Sequence, residues 1–183
     1  MDPDAAAGLI PDLSTQADLN EFEALNILQA ARWTARSRML RQVFPDIQTL
    51  RELHRRMFNQ TWKWAGEFRR SDTNIGVPWP RIGTDLRMLC DDLRYQTEHA
   101  VYDWPERAVR FHHRLVSIHP FPNGNGRHAR LAADILLIRY RQPRFTWGAK
   151  NLIADGSVRR EYITALREAD AGDIARLMAF VRS

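Results

Sequence analysis

Apolar residues recur every three or four positions along most of the chain, and this spacing predicts α-helices. Leu19, Phe22 and Leu25 open the first such stretch, which Ser14 or Thr15 can cap. The predicted helices cover, in chain order, residues 19–40, 46–58, 86–93, 104–118, 127–141, 158–169 and 173–181. We therefore expect an all-α fold, arranged as a helical bundle.

The stretch from Glu67 to Arg81 breaks this periodicity. It contains Gly76, Pro78 and Pro80, and its apolar residues alternate with polar ones instead of following a helical spacing. We predict one small β-hairpin flap here. The length suits one domain, so we divide the chain into an N-terminal leader at residues 1–19 and a single domain at residues 20–183.

Composition narrows the class of protein. The single cysteine, Cys90, rules out an internal disulfide, and the sequence shows neither a secretory signal nor an apolar run long enough for a membrane helix. We therefore expect a cytoplasmic protein with no membrane partner. The net charge of +5 could indicate nucleic-acid binding. The arginines, however, are spread along the chain at helical spacing and form no basic block, so we interpret them as a solvated surface.

The run His119-Pro-Phe-Pro-Asn-Gly-Asn-Gly-Arg-His-Ala-Arg130 carries the candidate chemistry. Histidine titrates near neutral pH and can take a proton from a hydroxyl. The two glycines allow backbone N–H groups to surround an anion, and the helix that follows adds its positive N-terminal end. Arg127 and Arg130 share one helix face and can clamp two phosphates. The run predicts a proton acceptor beside a polyphosphate cradle.

The same run resembles the signature of the Fic family, His-x-Phe-x-(Asp/Glu)-Gly-Asn-(Gly/Lys)-Arg-x-x-Arg. The wording from Pro122 to Arg130 is most similar to the subgroup called mobile mystery protein B, and the resemblance extends from about Asn20 to nearly the end. It implies a Fic-type helical bundle with a β-hairpin flap. It also implies a protein adenylyltransferase that moves AMP from ATP to a Tyr, Ser or Thr hydroxyl of a target protein, with His119 as the catalytic base.

The resemblance further assigns residues to nucleotide binding. In the loop, Arg127 and Arg130 would hold the β- and γ-phosphates while Asn125 orients the α-phosphate. In the closing helix, three residues on one face resemble positions that shape the adenine pocket, although core packing explains two of them equally well. The full nucleotide-binding set is Asn123, Gly124, Asn125, Gly126, Arg127, Arg130, Ile163, Leu166 and Asp170.

Asn123 stands where the family has an acidic Mg²⁺ ligand. A neutral amide oxygen binds Mg²⁺ less strongly than a carboxylate, so we expect reduced metal affinity at this ligand position. Two alternatives stay open: a Fic-fold transferase of phosphate or of another nucleotide, and a nucleotide-binding module with little or no turnover. A zinc site at His112, His113 and His119 is disfavoured because no cysteine or acidic residue joins them at metal spacing.

The resemblance also implies partners and a form of control. The target protein would dock at the flap near Ser71 to Pro80, and an antitoxin or a small helix-turn-helix protein is a possible partner. Many Fic proteins carry an inhibitory helix whose glutamate pairs with the second signature arginine, here Arg130. Residues 14–20 match its pattern imperfectly with Asp18, and Glu21 and Glu23 are alternatives.

Overall fold

The computed structural model describes residues 8–13, 15–148 and 155–183. Within these residues the chain folds into α-helices and one short 3₁₀ helix, Trp79–Arg81. The α-helices are α1 Gln16–Arg36, α2 Arg38–Val43, α3 Ile47–Phe58, α4 Ile82–Glu98, α5 Trp104–Ile118, α6 Asn125–Arg139, α7 Asp155–Asp170 and α8 Ala175–Phe180. None of the described helices is both long and apolar enough to cross a membrane. The all-α expectation is confirmed for this part of the chain.

Helices α5 and α6 pack against each other at the centre of the bundle, and α1 lies against α3. The buried face of α6 carries Ala129, Ala132 and Ala133, whose small side chains let neighbouring helices approach closely. A second apolar cluster joins Val109 of α5 to α7 and α8. The loop between the two central helices is therefore held on both sides by packed elements, and this loop carries the signature run.

Side-chain caps fix the helix boundaries. Thr15 and Asp18 form a reciprocal capping box at the start of α1, while Ser14 lies outside the described residues. The predicted continuous helix over 19–40 is wrong at Ser37, where the chain leaves the helical conformation. The Ser37 hydroxyl accepts a hydrogen bond from the Leu40 N–H and starts α2, so local side-chain bonding outweighs the apolar periodicity.

The predicted β-hairpin flap is not formed, because residues 67–81 contain no strand. Pro78 and Pro80 have no N–H group for a ladder, and Gly76 takes a left-handed φ of 108°. The carbonyls of Ser71 and Val77 instead accept hydrogen bonds from the Arg69 side chain. The segment is thus an irregular, mostly exposed loop; we call residues 71–77 the flap segment.

Candidate active site

The loop between α5 and α6 is bounded by two left-handed residues. His119 ends α5 with a φ of 53°, and Gly124 begins α6 with a φ of 78°. A Cβ atom placed on Gly124 would lie 2.5 Å from Cζ of Phe58. Only glycine fits this approach without displacing the aromatic ring, so the first glycine of the motif sets the path of the loop.

His119 is half-buried at the end of α5. Its Nδ1 is buried and forms no hydrogen bond within the described residues. Burial and the nearby Arg69 charge lower the pKa of His119 to about 4. The Val116 backbone raises this pKa to a smaller extent, although it forms no hydrogen bond with Nδ1. The imidazole is therefore neutral at pH 7 and free to accept a proton. A bound triphosphate would raise its pKa, because negative charge favours the imidazolium.

Polar contacts hold the inside of the loop in place. The Asn125 side chain bonds the backbone of Phe121 twice, accepting from its N–H at 2.9 Å and donating to its carbonyl at 2.7 Å. Both polar ends of this amide are therefore engaged by the loop itself. In this structure Asn125 stabilises the loop. Its side-chain amide would have to break the hydrogen bonds with Phe121 before it could orient an α-phosphate.

His54, on α3, supports the loop from below and was missed by the sequence analysis. Its Nδ1 accepts a hydrogen bond from the Gly66 N–H at 3.0 Å, so its proton is on Nε2, which donates to the Asn123 carbonyl at 3.0 Å. Burial holds the pKa of His54 well below its usual range. The ring also stacks on Phe121 at 3.7 Å. A histidine within the apolar stripe of α3 was the available signal.

The N-terminus of α6 is the predicted anion cradle. The N–H groups of Asn125, Gly126 and Arg127 have no acceptor within the described residues. They belong to a helix of 15 residues, whose dipole adds positive potential at the same end. A Cβ on Gly126 would meet nothing closer than the Tyr162 hydroxyl at 3.7 Å. The start of α6 thus has free N–H groups and open space, and anion binding there stays a prediction.

Arg127 is bound by a carboxylate of the same chain. Its Nη1 lies 2.6 Å from Oε2 of Glu23, whose side chain is 3% exposed. The other Glu23 oxygen accepts from the Trp62 indole N–H at 2.7 Å. Among the three acidic residues considered for an inhibitory helix, Asp18 is used in a cap, Glu21 is exposed, and Glu23 reaches the site. It pairs with the first signature arginine, and the expected pairing with Arg130 is not observed.

Arg130 lies beside Tyr162 of α7. Its guanidinium carbon sits 5.5 Å from the centre of the Tyr162 ring, and its Nε donates to the Gly126 carbonyl at 3.4 Å. The Tyr162 hydroxyl lies 3.1 Å from Nε2 of His112, and burial raises the pKa of Tyr162 to about 12. Tyr162 therefore remains a neutral hydroxyl near the cradle. Tyr162 was not among the residues predicted for the site, although it directly precedes Ile163.

The three residues assigned to the adenine pocket take different positions. Ile163 is 36% exposed, whereas Leu166 packs in the second apolar cluster with α8. The Asp170 carboxylate accepts from Nε2 of His113 at 2.7 Å and from the Ser117 hydroxyl at 3.3 Å. These two partners lie in the last turns of α5, near His119. Leu166 thus serves the core, and Asp170 connects α7 to the end of α5.

Asn123 is poorly arranged for a metal ion. Its Oδ1 accepts a hydrogen bond from the Gly124 N–H at 2.7 Å, and as an amide oxygen it carries no charge. The described residues contain no group of three His, Cys, Asp or Glu side chains that could hold a cation. One neutral oxygen does not meet the preference of Mg²⁺ for charged oxygen ligands. The residues present do not build a Mg²⁺ site on their own.

A groove borders the flap segment on the side of α3. It encloses about 500 Å³. Its wall includes the exposed Trp79 and Arg70, together with Glu67 and Arg51. Trp79 is 45% exposed, which is high for so large an apolar ring. The groove therefore offers aromatic surface, from Trp79 and Phe68, together with charge of both signs.

A model of the Fic/DOC family matches residues 44–137, just over half of the chain. The chain belongs to the Fic/DOC family.

Two curated relatives carry the name protein adenylyltransferase Fic. The protein from Aedes aegypti is 29% identical over 163 residues, which is 87% of this chain and 31% of the relative. The protein from Drosophila ananassae is 33% identical over 139 residues, 74% of this chain and 27% of the relative. The chain thus spans about a third of the length of these relatives.

Solved structures give the same result for the fold. Fic-1 from C. elegans superposes with a TM-score of 0.74 at 26% identity, covering 97% of this chain and 51% of that chain. BepC from Bartonella tribocorum, solved with bound AMPPNP, gives a TM-score of 0.64 at 19% identity and covers 93% of this chain and 87% of that chain.

Proposed function

We propose that the protein is an adenylyltransferase that moves AMP from ATP to a Tyr, Ser or Thr hydroxyl of a target protein. One observation carries the proposal: a neutral His119 ends α5, one short loop away from the unpartnered N–H groups and the two arginines at the start of α6. A base beside an anion cradle suits the transfer of a phosphoryl group to a hydroxyl. The name shared by the curated relatives supports the same activity.

In the reaction, the target hydroxyl attacks the α-phosphorus of ATP, and the bond from that phosphorus to the β-bridging oxygen breaks. AMP is joined to the target oxygen and pyrophosphate leaves. His119 takes the hydroxyl proton as the new P–O bond forms. The α6 N–H groups, Arg127 and Arg130 bind the phosphates and offset the charge that develops on them. Before this, Arg127 must exchange the Glu23 carboxylate for a phosphate.

We propose ATP with Mg²⁺ as the substrate, the ion being carried mainly by the nucleotide phosphates. The chain contributes at most the neutral Asn123 oxygen, which already accepts the Gly124 N–H. Such a site is expected to tolerate a change of divalent cation better than one that has a carboxylate ligand.

We also propose that the target docks at the flap segment and the groove beside it, at residues 71–80. Arg69, Ile118 and Asp72 already engage part of this backbone, so an extended target segment would pair with the N–H groups of residues 72–76. The groove adds the exposed Trp79 ring as a contact. We further propose that the chain belongs to the mobile mystery protein B subgroup, because the sequence of residues 122–130 resembles that subgroup. The same resemblance suggests a small helix-turn-helix protein or an antitoxin as a further partner.

A second candidate is nucleotide binding with little turnover. It is favoured by the Glu23–Arg127 ion pair and by the neutral Asn123, which together weaken phosphate and metal binding. A third candidate keeps the site but transfers another group, such as a phosphate.

Lysate labelling separates these candidates. Wild-type protein and His119→Ala are incubated with ATP carrying label on the α- or the γ-phosphate. Transfer of the α-label alone, lost in His119→Ala, is the expected result. Transfer of the γ-label would indicate a phosphotransferase, and ATP binding in calorimetry without any transfer would indicate a binding module. Full labelling by His119→Ala would end the assignment of His119 as the base.

A further inference from the structure

Arg69 is a buried arginine next to the proposed base. Its side chain is 2% exposed, and the nearest carboxylate, on Asp72, is 3.7 Å away and itself 68% exposed. A buried charge is costly unless its donors are satisfied, and this partner is too distant and too solvated to satisfy them alone. The guanidinium instead donates to backbone carbonyls, so its role lies in what those carbonyls connect.

Three consecutive carbonyls at the end of α5 accept hydrogen bonds from Arg69. Its Nε donates to His119 at 2.7 Å, its Nη2 donates to Ile118 at 3.5 Å, and its backbone N–H donates to Pro120 at 3.0 Å. His119 has a left-handed backbone, which costs about 1–2 kcal/mol for a residue other than glycine. The hydrogen bonds from Arg69 therefore stabilise the unfavourable backbone conformation of His119.

The same guanidinium binds the flap segment. Nη1 donates to the Ser71 carbonyl at 2.8 Å, and Nη2 donates to the Val77 carbonyl. The Val77 N–H in turn donates to Ile118 at 3.3 Å. A Cβ on Gly76 would lie 2.7 Å from Cβ of His119 and 2.8 Å from Nη2 of Arg69, so the flap backbone rests directly on both.

From this geometry we propose that Arg69 is a positioning residue for the transfer reaction, which fixes the His119 backbone and the flap segment in a single arrangement. This inference rests on the proposed function, because a base and a docked hydroxyl must meet at the α-phosphorus. The planar fork of arginine reaches both segments at once, whereas the single ammonium of lysine cannot. The Arg69 charge also helps to keep the His119 imidazole neutral.

The test compares Arg69→Ala and Arg69→Lys with Arg94→Ala, whose side chain lies on α4 outside the groove, is 64% exposed and pairs with the exposed Asp91 at 3.0 Å. Calorimetry gives the Kd for ATP. Labelling of lysate proteins with α-phosphate-labelled ATP gives the apparent kcat and the KM for ATP. We expect kcat to fall about 100-fold in both Arg69 variants, because small displacements of a reacting group have this effect. The Kd for ATP should stay unchanged, since Arg69 contacts no group of the cradle. Arg94→Ala should match the wild type.

Chemical rescue separates positioning from general stability. Guanidinium ion at a low, non-denaturing concentration should restore turnover to Arg69→Ala, whereas it should leave Arg94→Ala unchanged. Arg69→Lys keeps the charge and should stay slow. Wild-type kcat in either Arg69 variant, loss of ATP binding together with turnover, or failure of both variants to fold would each overturn the proposal.

A readout without turnover keeps the inference separate from the proposed function. Hydrogen exchange at the Val77 amide reports whether the flap segment is bound to Ile118. We expect faster exchange in Arg69→Lys than in wild type or Arg94→Ala. If wild-type protein transfers no AMP while this difference is present, the proposed function fails and the positioning role stands. Equal exchange rates would end the positioning role itself.

Discussion

The Glu23–Arg127 ion pair predicts that one substitution will tighten ATP binding. Glu23→Gln removes the negative charge but keeps an oxygen for the Trp62 indole N–H. At 2.6 Å the pair has a Coulomb energy of about 6 kcal/mol at an effective dielectric of about 20, and about 2 kcal/mol in water. Arg127 is 32% exposed, so solvent recovers part of this energy when the pair opens. A net gain of about 1–3 kcal/mol remains, which corresponds to roughly 5- to 150-fold in Kd.

Calorimetric titration of ATP into wild type and Glu23→Gln measures this gain directly. Glu21→Gln is the matched control, because Glu21 lies on the same helix with an exposed side chain. Its Kd should equal that of the wild type, while Glu23→Gln should bind more tightly and label targets faster at low ATP. Identical Kd values for all three proteins would refute the idea that Glu23 competes with phosphate for Arg127.

Two further predictions concern the loop and the buried charge of α6. Gly124→Ala should cost about 2–4 kcal/mol in urea unfolding and should weaken ATP binding, since it adds a left-handed alanine and a clash with Phe58. Gly83→Ala, with nothing within 4 Å, is its neutral control. Burial raises the pKa of the Asp134 carboxyl from 3.8 to about 6. The folded state therefore binds the carboxyl proton more tightly than the unfolded chain does, and the free energy of unfolding falls as pH rises from about 4 to 6. Asp134→Asn should therefore gain about 1–2 kcal/mol over wild type at pH 7.5 and nothing below pH 4, and an equal difference at both pH values would contradict this.

Apolar periodicity predicted the helices because each one buries a single face in the bundle. It failed at Ser37, where one hydroxyl bond to Leu40 divides a helix that the apolar pattern would continue. The hairpin prediction failed in the flap, whose backbone is held by the Arg69 side chain and the Ile118 carbonyl from outside the segment. Both errors arise where a side chain bonds to the backbone, an effect that spacing alone does not encode.

The candidate site divides in a similar way. His119, the glycines and the two arginines lie within 12 consecutive residues, so their local spacing is enough to bring them together. The residues that control them come from distant parts of the chain: Glu23 is 104 positions from Arg127, and His54 is 69 positions from Asn123. Their roles depend on how the helices pack, and no local pattern reveals that packing.

The contact made by Glu23 also shows what the arginine is suited to bind. The buried Glu23 carboxylate accepts from the Arg127 guanidinium, a group that would pair equally well with a phosphate, and from the Trp62 indole N–H. The α6 N–H groups beside it remain without acceptors in the described part of the chain. Removing the carboxylate would leave the guanidinium and these N–H groups facing the cradle without an anion. Because α1 supplies that carboxylate from outside the loop, any movement of α1 that withdraws Glu23 must raise the affinity of the cradle for phosphate by the free energy of the lost ion pair.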